Sequence, residues 1–112
     1  MRIAFDVKGT LDGPKGHIIL SALHHLLKQG HTCVVWSNLY SYAADFVRDN
    51  ELDKLGVEAM SKKSLSDLEG YDTQPFDYAI EDDTRQTYLA AKQFIFVHQI
   101  ETTGDLINVL LK

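Results

Sequence analysis

Cysteine, proline and basic residues are all scarce in this chain, and each shortage excludes a class of protein. The 112 residues include one cysteine and two prolines, so neither a disulfide-stabilised scaffold nor a proline-rich linker fits the composition. Lys and Arg number 11 against 16 Asp and Glu, which gives a net charge of −5. Binding to nucleic acid is therefore not expected, because it depends on clustered positive charge. No apolar run approaches the length of a membrane span, and we expect no membrane partner.

The single cysteine and the first residues of the chain indicate the cellular setting. Cys33 lies within the apolar run of residues 32–36 and has no second cysteine to pair with, which predicts a buried thiol in a reducing compartment. The first apolar run is short and ends at Asp6, unlike the apolar core of a signal peptide. We therefore expect a cytoplasmic protein.

What remains is the composition of a single globular domain, residues 1–112, with 45% apolar and 24% charged residues. Short apolar runs alternate along it with amphipathic segments. Strands are predicted at residues 3–5, 32–36, 57–60, 76–80 and 94–97, and helices at residues 17–28, 41–55 (with an interruption near 49–50), 84–92 and 105–111. This alternation predicts an α/β fold, a Rossmann-like three-layer sandwich with a five-stranded, mainly parallel sheet and helices on both faces.

Polar side chains follow four of the predicted strands. In an open parallel sheet, ligands bind outside the carboxyl ends of the strands, where these side chains converge. Carboxylates there suit Mg²⁺, which prefers hard oxygen ligands, while a hydroxyl and a lysine suit phosphoryl oxygens. The residues in question are Asp6, then Ser37 and Asn38, then Lys62 and Lys63, and finally Glu81, Asp82 and Asp83.

Several of these segments resemble motifs of the haloacid dehalogenase-like (HAD) phosphatase superfamily. Residues 3–13, IAFDVKGTLDG, are similar to its first motif, an apolar strand followed by Asp-x-Asp-Gly-Thr-Leu. Residues 34–38, VVWSN, are similar to the second motif, and residues 78–83, YAIEDD, to the acidic fourth motif. The third motif is a lysine, for which the loop after the third strand offers two candidates. No cap domain interrupts the chain, so the resemblance implies an open site.

The resemblance implies a reaction at Asp6. This residue would be the nucleophile that forms an aspartyl-phosphate intermediate, while Ser37, Asn38 and either Lys62 or Lys63 would bind the phosphoryl group. Asp6 would at the same time be a metal ligand. The implied activity is that of a phosphohydrolase or phosphotransferase acting on a phosphorylated substrate.

The resemblance also implies a Mg²⁺ site. Its ligands would be Asp6, Asp82, Asp83 and the backbone carbonyl of Lys8. A carboxylate that attacks a phosphate dianion needs the negative charge of that group neutralised, and the metal and a lysine would supply this.

Lys8 departs from the family's first motif, which has a second Asp at this position. That Asp protonates the leaving group and then activates water against the acyl phosphate. A lysine side chain, with an ordinary pKa of about 10.4, can donate a proton but is rarely free to accept one. Lys8 therefore also supports the alternative of a catalytically weak or inactive binding or regulatory module, with room for a protein partner.

Other interpretations fit fewer residues. Asp6 could simply cap a turn, and Asp82 could begin a helix. A receiver-like signalling domain needs an acceptor Asp after the third strand, where Met60 and Ser61 stand instead. A nucleotide-binding phosphate loop needs glycine where Pro14 stands.

Overall fold

The computed structural model describes residues 1–69 and 75–112. Within them a five-stranded sheet, all of whose strands run parallel, has the strand order β3-β2-β1-β4-β5. This confirms the predicted α/β class and the five-stranded parallel sheet. The strands are β1 Arg2–Asp6, β2 Thr32–Ser37, β3 Glu58–Ser61, β4 Phe76–Glu81 and β5 Ala91–Phe96, and the α-helices are α1 Gly16–Lys28, α2 Tyr40–Asp49 and α3 Thr103–Leu110.

Strand β1 lies at the centre of the sheet, and its register positions the polar strand ends. Asp6 is paired with Trp36 of β2, and Phe5 with Ile80 of β4. Because the strands are parallel, the last residue of β1 lies beside the last residues of its two neighbours. The chain therefore delivers Asp6, Ser37 and Glu81 to one edge of the sheet.

The apolar side chains of the sheet belong to two core clusters. The first joins Phe5 and Val35 to apolar residues of all three α-helices. The second includes Trp36, Phe76 and Leu89 and contains no α-helical residue. Both faces of the sheet are covered, as a three-layer arrangement requires, but the prediction of α-helices on both faces is wrong for the described residues, because no α-helix lies on the second face. A 3₁₀ turn at Leu65–Leu68 and the turns before β5 stand there instead.

The prediction of a helix over residues 84–92 is wrong. The chain makes turns there and enters β5 at its end. Its backbone is hydrogen-bonded to residues 63–65. The carbonyl of Tyr88 accepts the N–H of Leu65, and the carbonyl of Lys63 accepts the N–H of Ala90, each at 3.1 Å. A helix would use these groups for its own i to i−4 bonds, so the two arrangements exclude each other.

The ends of α2 and α3 follow their local sequences. The predicted interruption at residues 49–50 is confirmed, because α2 ends at Asp49 and a separate 3₁₀ turn follows at Leu52–Leu55. Helix α3 begins after a capping box, in which Thr102 accepts the backbone N–H of Asp105 at 3.0 Å and the Asp105 carboxylate accepts the N–H of Thr102 at 3.0 Å.

Cys33 on β2 is a free thiol that is 2% exposed, as expected from the apolar run around it. Burial raises the pKa of this thiol to about 12. Among the helices of the described residues, none combines the length and the apolar character needed to cross a membrane.

Candidate functional site

An open cavity of about 270 Å³ lies at the carboxyl edge of the sheet. Leu39, Tyr42 and Gln86 also line it, and none of the three was among the predicted site residues. Of the candidate residues selected from the sequence, Lys63 and Glu81 do not line it. The other predicted residues all do, namely Asp6, Lys8, Ser37, Asn38, Lys62, Asp82 and Asp83.

Asp6 lies at the floor of this cavity and is 4% exposed. Its Oδ1 is 2.9 Å from the Nζ of Lys62, and its Oδ2 accepts a hydrogen bond from the Thr10 hydroxyl at 3.0 Å. Burial and a hydrogen bond with Asp82 raise the pKa of Asp6 to about 6, although Lys62 and Thr10 act in the opposite direction. The carboxylate is thus fixed in orientation and lies close to a second carboxylate.

Gly9 makes the approach of that second carboxylate possible. Its φ of +74° lies in the left-handed region, which favours glycine. A Cβ at this position would lie 2.1 Å from the Oδ2 of Asp82. The N–H of Gly9 donates to the Asp12 carboxylate at 3.1 Å, which holds the loop in place. The glycine is therefore required both by its backbone angle and by the space that Asp82 occupies.

Lys62 connects the charged groups of the floor and is itself buried, with a side chain 3% exposed. Its Nζ lies 2.9 Å from Asp6 Oδ1, 2.9 Å from Glu81 Oε2 and 2.6 Å from Gln86 Oε1. An ammonium has three N–H donors, so these three acceptors use all of them. Burial alone would lower the pKa of Lys62, but the Glu81 and Asp6 carboxylates outweigh it and raise the pKa.

The choice between the two candidate lysines is made by strand pairing. The N–H of Lys62 donates to the Ser37 carbonyl at 3.0 Å, which extends the pairing of β3 with β2 by one residue. The Lys62 side chain then enters the floor of the cavity. Lys63 is exposed and lies beside Trp36 and Phe76 on the second face of the sheet.

Glu81 ends β4 and is fully buried, at 0% exposed. Its Oε1 accepts the indole N–H of Trp36 at 3.1 Å, and its Oε2 pairs with Lys62. Burial and the charge of Asp6 raise the pKa of Glu81 to about 7, with Lys62 and Trp36 opposing. In the sequence, Glu81 is one of three adjacent acidic residues and was not among the predicted metal ligands. The signal for its role is that it is the last residue of an apolar strand.

Asp6, Glu81 and Asp82 form a group of carboxylates whose oxygens lie within 4.8 Å of one another. Oxygen donors at this spacing fit a hard divalent cation, and a cation would favour the ionised form of Asp6, whose pKa is raised by burial and by the hydrogen bond with Asp82. Glu81 is fully buried and does not line the cavity, whereas Asp6 and Asp82 both do, so Asp6 and Asp82 are the pair best placed to hold a metal.

Asp83 lines the cavity, but its carboxylate faces a different partner. Both oxygens accept from the Arg85 guanidinium at 3.0 Å. These hydrogen bonds hold the pKa of Asp83 at about 2. Asp83 does not belong to the described carboxylate group that could hold a metal.

Lys8 lies at the mouth of the cavity, where its side chain is exposed. Its Nζ stands 4.9 Å from the centroid of the Tyr42 ring, a cation–π contact. None of the ion pairs in the described part of the chain involves Lys8. Tyr42 belongs to α2, so the contact joins the loop after β1 to that helix.

The cavity wall beside Asp6 is formed by the end of β2 and the residues before α2. Ser37 is buried at the strand end, and Asn38 follows it in an exposed position.

Two groups that hold the floor together, Thr10 and Gln86, were not selected from the sequence. Gln86 lies in the segment wrongly predicted as helical. Thr10 is the Thr of the first motif, four residues after Asp6, and this spacing was the signal that could have found it.

Comparisons of this chain with protein-family models, with curated proteins and with solved structures find no match. The function proposed below therefore rests on the residues and on their geometry.

Proposed function

We propose that this protein is a Mg²⁺-dependent phosphohydrolase or phosphotransferase of the HAD type, acting through an aspartyl-phosphate on Asp6. The observation that carries the proposal is the arrangement of Asp6 at the floor of an open cavity. Its carboxylate is oriented by Lys62 and Thr10, and the Asp82 carboxylate lies beside it against Gly9.

The proposed reaction begins with attack of the Asp6 carboxylate on the phosphorus of a phosphate monoester. A bond forms between a carboxylate oxygen of Asp6 and phosphorus, and the bond from phosphorus to the ester oxygen breaks. The departing ester oxygen takes a proton from the Lys8 ammonium or from water and leaves as the alcohol. Water, or a second alcohol, then attacks the phosphorus of the aspartyl-phosphate. This second step releases phosphate or a new phosphate ester and restores Asp6.

Charge neutralisation would govern both steps, because a carboxylate and a phosphate dianion repel each other. Lys62 supplies one fixed positive charge at the floor, in contact with Asp6. Asp6 and Asp82, with the backbone carbonyl of Lys8, would hold the Mg²⁺, which when bound supplies electrostatic stabilisation of the phosphoryl oxygens. The Ser37 hydroxyl at the end of β2 would bind one of these oxygens.

We propose that the substrate is phosphorylated, that the open cavity admits a large substrate or a protein partner, and that the protein is located in the cytoplasm. The Lys62 ammonium beside Asp6 supports a phosphorylated substrate, and the open shape of the cavity supports access for a large substrate or a partner. The single buried free thiol of Cys33 supports the cytoplasmic location, since such thiols are usual in reducing compartments.

Lys8 favours a second candidate function, a catalytically weak or inactive binding module. The second step needs a group that accepts a proton from water, and Lys8 stands where the family's motif has an Asp for this. The nearby Asp12 does not replace it, because Asp12 does not line the cavity and its Oδ1 accepts the N–H of Gly9.

The test is phosphate release from a panel of phosphate monoesters with Mg²⁺. Wild type is compared with Asp6→Asn, and with Asp45→Asn as a matched control, since Asp45 is an exposed carboxylate on α2. We expect release by wild type and by Asp45→Asn, and none by Asp6→Asn. Release that survives in Asp6→Asn contradicts the proposal.

The variant Lys8→Asp separates the two candidate functions. If wild type releases no phosphate and Lys8→Asp does, the scaffold is intact and Lys8 prevents turnover, as the binding module requires. If wild type turns over repeatedly, the binding module is eliminated.

A further inference from the structure

We infer that Lys8 is a specificity-determining residue that binds a second anionic group of the substrate, so that the preferred substrates are phosphate monoesters with another negative charge on the leaving group. This inference rests on the proposed function and names its substrate class. It follows from where Lys8 lies, from what Lys62 already binds, and from the contact between Lys8 and Tyr42.

The depth of the two lysines separates their roles. Lys62 is 3% exposed and touches Asp6, so it lies at the floor where the phosphorus would be attacked. Lys8 lines the same cavity but is exposed at its mouth. A phosphate held against Asp6 directs the rest of the substrate outward, past Lys8. The group that meets the Lys8 ammonium is therefore a part of the leaving group.

Lys62 is not available to bind this second anion. Its three donors are bonded to Asp6, Glu81 and Gln86, and any new acceptor would have to displace one of these. Lys8 makes no ion pair with the described residues, and its N–H groups are free of carboxylate partners there. It is the lysine of this cavity that a substrate anion can bind without breaking an existing ion pair.

Tyr42 positions the Lys8 ammonium. The Nζ lies 4.9 Å from the ring centroid, within the range of cation–π attraction. The ring attracts the charge through its face and leaves most of the ammonium's hydrogen bonds to other acceptors. Without the ring, a flexible lysine side chain at the mouth would lose more conformational freedom on binding an anion. Tyr42 therefore acts through Lys8 as a positioning residue.

The experiment compares two non-hydrolysable ligands by calorimetry in the presence of Mg²⁺. They are benzylphosphonate and the same compound with a carboxylate at the far end of its ring. We expect wild type to bind the carboxylated compound about tenfold more tightly, the factor that one charge-assisted hydrogen bond supplies. Lys8→Met lowers the affinity for the carboxylated compound about tenfold more than the affinity for benzylphosphonate.

Tyr42→Leu should reduce the preference by a smaller factor, because it removes only the support of the ammonium. Tyr40→Leu is the matched control, since Tyr40 is an exposed tyrosine of the same helix that does not line the cavity. The control should keep the wild-type preference. Loss of the preference in Tyr40→Leu as well contradicts a role for the Lys8 to Tyr42 contact.

The other outcomes distinguish this inference from the proposed function. Equal affinities of wild type for the two compounds overturn the inference and leave the proposed function standing. An equal loss for both compounds in Lys8→Met also overturns it, because Lys8 would then bind the phosphoryl group. If neither compound binds wild type, the phosphate site fails and the proposed function fails with it.

Discussion

Lys62 holds the charged groups at the floor of the cavity together. It is paired with two buried carboxylates, those of Asp6 and Glu81. We expect Lys62→Met to lower the free energy of unfolding by about 3–5 kcal/mol, because it leaves two buried carboxylates without their ion-pair partner. Lys63→Met is the matched control. It removes an exposed charge and should change stability by no more than about 0.5 kcal/mol.

Urea unfolding of the two variants measures the difference. Similar losses in Lys62→Met and Lys63→Met would mean that the ion pairs of Lys62 contribute little to folding.

Gly9 offers a second prediction at the scale of one residue. Gly9→Ala places a Cβ where Asp82 Oδ2 lies and adds the strain of a positive φ. Gly56 has a φ of +85° with no atom within 4 Å of a built Cβ, so Gly56→Ala measures the strain alone. We expect Gly56→Ala to cost about 1–2 kcal/mol and Gly9→Ala to cost about 1–3 kcal/mol more through overpacking.

Gly9→Ala should also weaken Mg²⁺ binding, measured by calorimetry, because Asp82 is displaced. Unchanged Mg²⁺ affinity in this variant would exclude Asp82 from the metal site.

The sequence predicts which residues belong to the site better than it predicts which side chains touch each other there. Asp6 and Asp82 can be selected because each lies in a motif that follows an apolar strand. The choice of Lys62 over Lys63 depends on the register of β3 against β2, which the sequence does not show. Gln86 reaches Lys62 only through the fold, and no local pattern marks it.

Among the elements, β2 is a strand covered on both faces of the sheet. The reactivity of its thiol, Cys33, measures how often the strand opens. Cys33 is 2% exposed, and burial raises its pKa to about 12. We expect this cysteine to react with a thiol reagent only when β2 opens, because the thiolate is the reactive form. The modification rate should rise in parallel with unfolding by urea. Rapid modification of the native protein would contradict the buried position of β2.

The strands and the first two helices were predictable because each has its own apolar pattern. Helix α1 shows the i, i+3, i+4 spacing that its buried face requires, and Ile19, Leu23 and Leu26 are buried as that spacing predicts. Residues 84–92 have no apolar spacing of this kind. Their backbone bonds to residues 63–65, a contact distant in sequence, and tertiary pairing therefore overrides a weak local preference.

At the scale of the whole molecule, the buried acids make stability depend on pH in the absence of metal. The pKa values of Asp6 and Glu81 are raised to about 6 and about 7, while unfolded Asp and Glu ionise near pH 4 (about 3.9 and 4.3). Their stabilising contribution is therefore fully present below about pH 4 and is lost as the pH rises through 6 and 7. The raised pKa of Lys62 keeps that residue charged throughout this range.

We therefore expect the contribution of these acids to be smaller at pH 8 than at pH 5 when a chelator is present. Glu81→Gln should reduce this difference, whereas Glu101→Gln, at an exposed position, should preserve it. Unfolding in urea at the two pH values measures both. An identical pH dependence in wild type and Glu81→Gln would contradict the raised pKa of Glu81.

The central claim is that Asp6 forms a covalent phosphoryl intermediate, and trapping it is the most direct test. The protein is incubated with Mg²⁺ and a phosphate monoester, then treated with borohydride, which reduces an aspartyl-phosphate to homoserine. Tryptic cleavage after Arg2 and Lys8 gives a peptide of residues 3–8, in which Asp6 is the sole acidic side chain. We expect homoserine at position 6, formed only when substrate is present. Phosphate release without this conversion would contradict the central claim.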